Sequence, residues 1–222
     1  MRIAHLTASP FFGGPERQML GLALSLPADV QSVFLSFSER GLCRSFLSEL
    51  RQHGIAGEEL TYNVPHAFSA ISEIAARLRH HHIDLLCCHG YKPDLIGRPA
   101  ARRVGIPVIA VSRGWTWASW KVQAYETLDR FHLRFMDQVV CVSAGQAERV
   151  RRAGTPSEIV RVSPSMRCKD AHRTFDRFSV LRRPRTSDAR ACAQPARRRA
   201  VGVPVLLRAR PVPIVSERAA AA

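Results

Sequence analysis

Four short segments of the sequence place polar or nucleophilic side chains where an apolar run ends. The first is Phe12-Gly13-Gly14-Pro15-Glu16. Two glycines let the backbone come close to a ligand, and Pro15 suits the first turn of a helix. Free N–H groups at such a helix start favour a phosphate or carboxylate. Glu16 either caps the helix or touches a ligand hydroxyl. The third glycine of a dinucleotide fingerprint is missing, so a tight turn without ligand fits as well as an anion site. The second segment is Cys88-His89-Gly90-Tyr91-Lys92-Pro93-Asp94. A His at a strand's carboxyl end can hydrogen-bond a substrate hydroxyl or move a proton, or serve only as a structural hydrogen-bonding group. Lys92 and Asp94 either line the same mouth or are solvated loop charges. The third runs from Val111 through Ser112 and Arg113 to Trp117. Arg113 suits a phosphate or carboxylate, while Trp115, Trp117 and Trp120 stack on a ligand face or pack the next helix. The fourth ends at Ser143, a good N-cap residue whose local role is self-sufficient.

Metal chemistry is not expected. The six cysteines, at 43, 87, 88, 141, 168 and 192, form no CxxC pair and no zinc spacing, and their scatter points to buried free thiols in a reducing, cytoplasmic setting. His80-His81-His82 are consecutive, so they do not share a helix face. There is no GxxxxGK[ST], HExxH or GxSxG motif.

The elements that must carry these segments alternate regularly. Apolar runs predict strands over 3–6, 33–37, 59–62, 83–88, 107–111, 138–142 and 159–162. Helical periodicity predicts helices over 19–26, 42–53, 66–82, 93–104, 119–136 and 144–153. Strand and helix in turn make βαβ units, and nearly all-apolar strands such as Val108-Ile109-Ala110-Val111 suit a parallel sheet covered on both faces. The fold class is α/β, a Rossmann-like doubly wound parallel sheet over 1–164. In such sheets ligands gather at the carboxyl ends of the strands, which is where all four segments fall.

Composition excludes some classes. The chain has 222 residues, 46% of them hydrophobic, enough for one sizeable core. No run approaches the roughly 20 apolar residues of a membrane-spanning helix, and the first residues do not read as a secretory signal. The net charge of +15 is unevenly spread: residues 166–222 hold 14 Lys and Arg against 4 Asp and Glu, and residues 1–165 hold 19 against 14. Residues 165–222 are rich in Arg, Ala and Pro and show little periodicity. Three readings stand for them: a disordered basic tail that binds nucleic acid or anionic lipid, an out-of-frame translation of a GC-rich gene, or a small folded domain.

The order of the motifs resembles the N-terminal domain of family-4 glycosyltransferases, retaining enzymes of the GT-B fold. Gly13-Gly14-Pro15-Glu16 before an apolar helix resembles that family's GG-x-E opening. Residues 83–97 resemble its fourth-strand segment followed by a His. Met136 to Gln146 resembles its D-x-V-V-x-V-S stretch, and Ala153 to Val162 its approach to the interdomain crossing. The resemblance implies two Rossmann-like domains facing across a cleft, the first mainly receiving the acceptor. It implies transfer of a hexose from a nucleotide-sugar to a lipid-linked or polysaccharide acceptor, with no cofactor beyond the sugar donor as co-substrate. It implies that Gly13 and Gly14 approach the donor phosphates or sugar and that His89 sits near the reacting sugar; Glu16, Tyr91, Lys92, Arg113 and Ser143 are the further candidates for substrate contact. Arg113 stands where many members carry another His. The family's E-x7-E segment is not found after residue 164, so the reading expects a truncated or frame-shifted end and little activity alone. The expected partners are a nucleotide-sugar, a glycan or glycolipid acceptor and the inner membrane face, with nucleic acid not expected. The competing reading is a non-catalytic Rossmann-like module whose basic tail contacts nucleic acid or anionic lipid.

Overall fold

β1 (Arg2–Thr7) is the third strand of a seven-stranded, wholly parallel sheet, beside its central strand. Its neighbours are β2 (Gln31–Phe37) and β4 (Leu85–His89), and β3 (Ala56–Leu60) closes one edge. Beyond β4 come β5 (Val108–Ser112), β6 (Gln138–Cys141) and β7 (Val160–Val162), giving the order β3-β2-β1-β4-β5-β6-β7. Six helices connect them: α1 (Gly14–Ser25), α2 (Arg44–Gln52), α3 (Ala67–His80), α4 (Tyr91–Val104), α5 (Trp120–His132) and α6 (Ala144–Arg152). The computed structural model describes residues 1–115 and 120–163. The Rossmann-like reading is therefore met, while the basic segment 165–222 and Trp117 lie outside the described residues.

Alternation along the strands sorts the core. Ala4, Leu6, Leu86 and Cys88 face the layer built by α3, α4 and α6, and Ile3, Leu85 and Cys87 face the other way. The adjacent cysteines thus point to opposite faces, as their position in a strand requires. Every residue of β4 and β5 is buried, which is why both read as unbroken apolar runs. Phe34, Phe37 and Phe46 are wholly inside, each contributing about 1.5–3 kcal/mol by burial.

Several boundaries differ from expectation, each for a physical reason. β3 begins three residues earlier than 59, because its register is set by pairing Val33 with Ala56 and Phe37 with Leu60. As an edge strand it buries only Leu60, so little hydrophobic alternation marked it. α1 begins at Gly14 rather than 19, its amphipathic stripe starting a turn after its capping residues. α2 is preceded by a separate 3-10 turn at Glu39–Gly41, and Leu42 stays exposed. α4 starts at Tyr91, not 93: a proline in the first turn costs no helical hydrogen bond. The long helix expected over 119–136 ends at His132 and continues as a 3-10 turn, Leu133–Phe135.

α4 carries part of the site, and its placement depends on Gly97. A Cβ there would lie 2.6 Å from the Cys88 sulfur and 2.9 Å from a Leu6 methyl. The helix therefore touches the sheet through its own backbone, and its first turn reaches the ends of β1 and β4.

Candidate functional site

The carboxyl ends of β1, β4 and β5 and the first turns of α1 and α4 enclose a chamber of about 240 Å³. His89, the last residue of β4, lines it. Gly90 follows with φ of +100° and ψ of 170°, a backbone state essentially closed to other residues. That turn lets the chain leave the strand and start α4 at once, holding His89 and Tyr91 at the same mouth.

His89 is 6% exposed. Its Nε2 is 3.1 Å from His5 Nδ1, and His5 Nε2 is 3.4 Å from the Ser32 hydroxyl. Burial and the Arg113 charge hold both imidazoles neutral, His5 down to about 3 and His89 well below its usual range. Two proton arrangements satisfy this line. In one, His89 Nε2–H donates to His5 and His89 Nδ1 is left as an acceptor. In the other, His5 Nδ1–H donates and His89 Nδ1 carries the hydrogen. Nδ1 itself has no partner, so a buried polar atom is unsatisfied beside the chamber.

Arg113, just past β5, lines the same chamber. Its Nε and Nη2 are buried without hydrogen-bond partners, a costly state for a guanidinium. Burial lowers its pKa, and Cys87, Glu16 and Asp94 raise it in opposition. A planar cation with two unused donors is suited to a phosphate or carboxylate.

The chamber floor is carboxylic. Asp94 of α4 and Asp129 of α5 are 2% and 5% exposed and hydrogen-bonded to each other, which needs a proton between them. Burial raises both pKa values, Asp129 to about 6. Trp115 Nε1–H donates to Asp129 at 3.3 Å, and the Arg130 guanidinium lies 4.5 Å from the Trp115 ring. Trp115 is thus used for packing and hydrogen bonding; Trp120 is exposed on α5.

The remaining candidates divide. The Gly13 N–H donates to Glu16 Oε2 at 3.0 Å, so Glu16 caps α1 while also lining the chamber. Open space surrounds the Gly14 Cα where a side chain would stand. Tyr91 lines the chamber and stacks on Tyr125, ring centroids 5.6 Å apart. Lys92 is already engaged: its ammonium pairs with Glu39 and lies 4.6 Å from the Phe37 ring. Ser143 is exposed, and its hydroxyl accepts the Gln146 N–H at 3.1 Å, which is the N-cap role its type foretells. Gln146 in turn donates to the Ser112 hydroxyl at the end of β5.

A second, open groove of about 1070 Å³ adjoins the chamber and shares Ala8, His89, Gly90 and Tyr91 with it. Its walls include Val64, Phe68 and Leu128, which are 45%, 82% and 51% exposed. Sequence reasoning missed this groove, and also His5, Asp129 and Glu126. The signal for the two acids was present: positions 126, 129 and 133 form one helix stripe, and a carboxylate repeated on a stripe that ends in buried Leu133 marks a buried polar partner.

The model of the glycosyl transferase 4-like domain matches residues 13–165. None of the curated proteins matches the chain. Among solved structures, Anabaena HepE in complex with UDP-glucose is similar, 21% identical with a TM-score of 0.59 over 82% of this chain and 50% of that one. UDP-GlcNAc 2-epimerase from Neisseria meningitidis bound to UDP-GlcNAc is 16% identical, TM-score 0.55, over 81% of this chain and 51% of that one. The lipopolysaccharide outer core galactosyltransferase WaaB, in its apo form, is 16% identical, TM-score 0.54, over 73% and 45%. At these identities the likeness is one of fold, and the chain spans about half the length of the structures it matches.

Proposed function

The chain belongs to the glycosyl transferase 4-like domain family, and from that premise we propose that it is the acceptor-side half of a retaining hexosyltransferase. It works with a nucleotide-sugar donor and a lipid-linked or polysaccharide acceptor. The domain comprises residues 1–164, and the donor diphosphate is gripped mainly by a second Rossmann-like domain, so that this half alone turns over little. No cofactor is assigned to the transfer step. The protein acts on the cytoplasmic side, at most peripheral to the membrane.

One observation carries this reading: His89 Nδ1 and two nitrogens of Arg113 are buried, unpartnered and gathered at one chamber. Such groups suit a ligand that offers hydroxyls and negative charge, and a sugar phosphate offers both. In the proposed complex His89 Nδ1 exchanges a hydrogen bond with a hydroxyl of the transferred sugar. The His5–Ser32 line lets that nitrogen act as donor or acceptor without becoming charged. Arg113 meets phosphate charge that grows as the bond between the sugar and the donor diphosphate breaks. Gly14 gives room for the donor to approach α1, whereas the space over Gly13 is filled by the Phe11 ring, so Gly13 serves the turn itself. Tyr91 supplies a flat wall shared with the groove, where the acceptor lies. Lys92, Glu16 and Ser143 serve as supports through Glu39, the α1 cap and the α6 cap.

The test joins this chain to the donor-binding half of a family member and follows labelled hexose from UDP-sugars into membrane lipid extract. Wild type should transfer, and His89→Ala should lose transfer with its melting temperature unchanged. Equal turnover by His89→Ala, or a folded fusion that labels no acceptor with any donor, rejects the reading.

A further inference from the structure

His5 and Cys87 are partners in the β1–β4 register, and His89 stands two residues beyond Cys87 on the same face of the sheet. Adjacent strands lie about 4.8 Å apart, so the register by itself brings an imidazole beside a thiol, and the longer His89 ring reaches back to both. The ligand-capable atoms of the three all lie within 4.8 Å of one another, and all three residues are buried. Two imidazole nitrogens bound to a d10 ion such as zinc sit about 2.0–2.1 Å from it, hence about 3.3 Å apart. Here they are 3.1 Å apart. The strands thus already hold the two nitrogens at ligand spacing, with a sulfur at their side.

We propose that His5, Cys87 and His89 form a three-coordinate site for Cu(I). The donor set is two imidazoles and one thiolate, which is soft enough for that ion. Charge selects it over Zn(II). One thiolate neutralises Cu(I) fully, whereas a divalent ion leaves a buried positive charge beside the chamber that the Arg113 guanidinium and His89 both line. As the Cu–S bond forms, the thiol proton leaves to water and no electron is transferred. When His5 ligates through Nδ1, its Nε2 carries the hydrogen and the Ser32 hydroxyl is the outer-shell contact that accepts it. His89 binds through Nε2, so its Nδ1 keeps its hydrogen and faces the chamber as a donor only. Entry is through the chamber that His89 lines.

The full chain is offered Cu(I) from its bicinchoninate complex under reducing conditions, beside Cys87→Ala and His5→Phe. Wild type should take one equivalent more than Cys87→Ala, and His5→Phe should hold it roughly 100-fold less tightly. X-ray absorption at the copper edge should show one sulfur and two nitrogens at that equivalent. Equal uptake by Cys87→Ala overturns the site, because the metal then rests on other cysteines. So does an all-sulfur copper environment, or uptake of Zn(II) in preference to Cu(I). Should a variant fail to fold, the copper-edge spectrum of wild type decides alone. Failure here leaves the transferase reading untouched, since that reading uses His89 Nδ1 and Arg113.

Discussion

The chamber and the groove share Ala8, His89, Gly90 and Tyr91 yet differ in nearly every physical respect. The chamber is about 240 Å³, bounded by buried ionisable groups at strand ends and helix starts. The groove is about 1070 Å³, and Val64, Phe68 and Leu128 expose apolar surface along it. A buried charge is expensive and is kept only where it is paired or used. An exposed aromatic costs little until a partner covers it. Under the proposed function the chamber serves the reacting end and the groove serves the part of the acceptor that does not react. Substitutions in the chamber should therefore change kcat, and substitutions in the groove KM.

The largest effect should come from His89→Ala in the fused enzyme: a fall of about 10²–10⁴-fold in kcat, the range for a positioned proton-transfer or hydrogen-bonding group. A change in KM alone, with kcat kept, would move His89 from the chamber's chemistry to the groove's.

The carboxylic floor gives an effect on stability with a definite sign. Asp129 is ordinarily near 3.8 and is raised to about 6 in the fold. Its contribution is complete below pH 3.8 and is lost as pH rises through about 6; Asp94 shifts in the same direction. Asp129→Asn cannot ionise. The unfolding free energy of wild type should therefore fall relative to Asp129→Asn by up to about 3 kcal/mol between pH 4 and pH 8. Parallel pH profiles in denaturant titrations would show that Asp94 and Asp129 share no proton.

Arg113→Ala should cost about 1.5–3 kcal/mol of transition-state binding, the scale of a hydrogen bond to a charged group. It should also make the unliganded protein more stable, since the wild-type Nε and Nη2 are unsatisfied. A variant that loses both stability and activity would mark Arg113 as a structural cation instead. Gly97→Val, where α4 rests on the sheet, should destabilise by about 1–3 kcal/mol through overpacking against Cys88 and Leu6. An undiminished melting temperature there would mean that α4 does not rest on its backbone.

These regions were not equally legible in the sequence. β4, β5 and β6 were plain because buried parallel strands leave no polar alternation to misread. The glycines at 13, 14 and 90 marked strand-to-helix turns through backbone chemistry that acts locally. His89 and Arg113 could be named because they immediately follow such strands. What pairs across the fold was hidden. Lys92 finds Glu39, 53 residues away, and His5 finds His89, 84 away. A single His inside an apolar strand gives no local sign of either. Asp129 needed the packing of α5 against α4 to become a partner of Asp94. The groove is drawn from loops and helix ends remote in sequence, and no periodicity encodes a concave surface.

The smallest effect tests the groove itself. Phe68 sits near the start of α3 and is 82% exposed; Leu128 is on α5 and half exposed. Each contributes little to folding, so Phe68→Ser and Leu128→Ser should leave the melting temperature unchanged. If an acceptor's apolar segment covers them, each loses about 1–2 kcal/mol of binding, by the area rule for apolar burial. KM for a lipid-linked acceptor should then rise roughly 5- to 30-fold, while kcat, KM for the donor and activity on a short water-soluble acceptor stay as in wild type. The last comparison is the decisive one. A groove that binds the sugar of the acceptor would raise KM for both acceptors alike, whereas a groove that binds the lipid can raise it only for the acceptor that carries one.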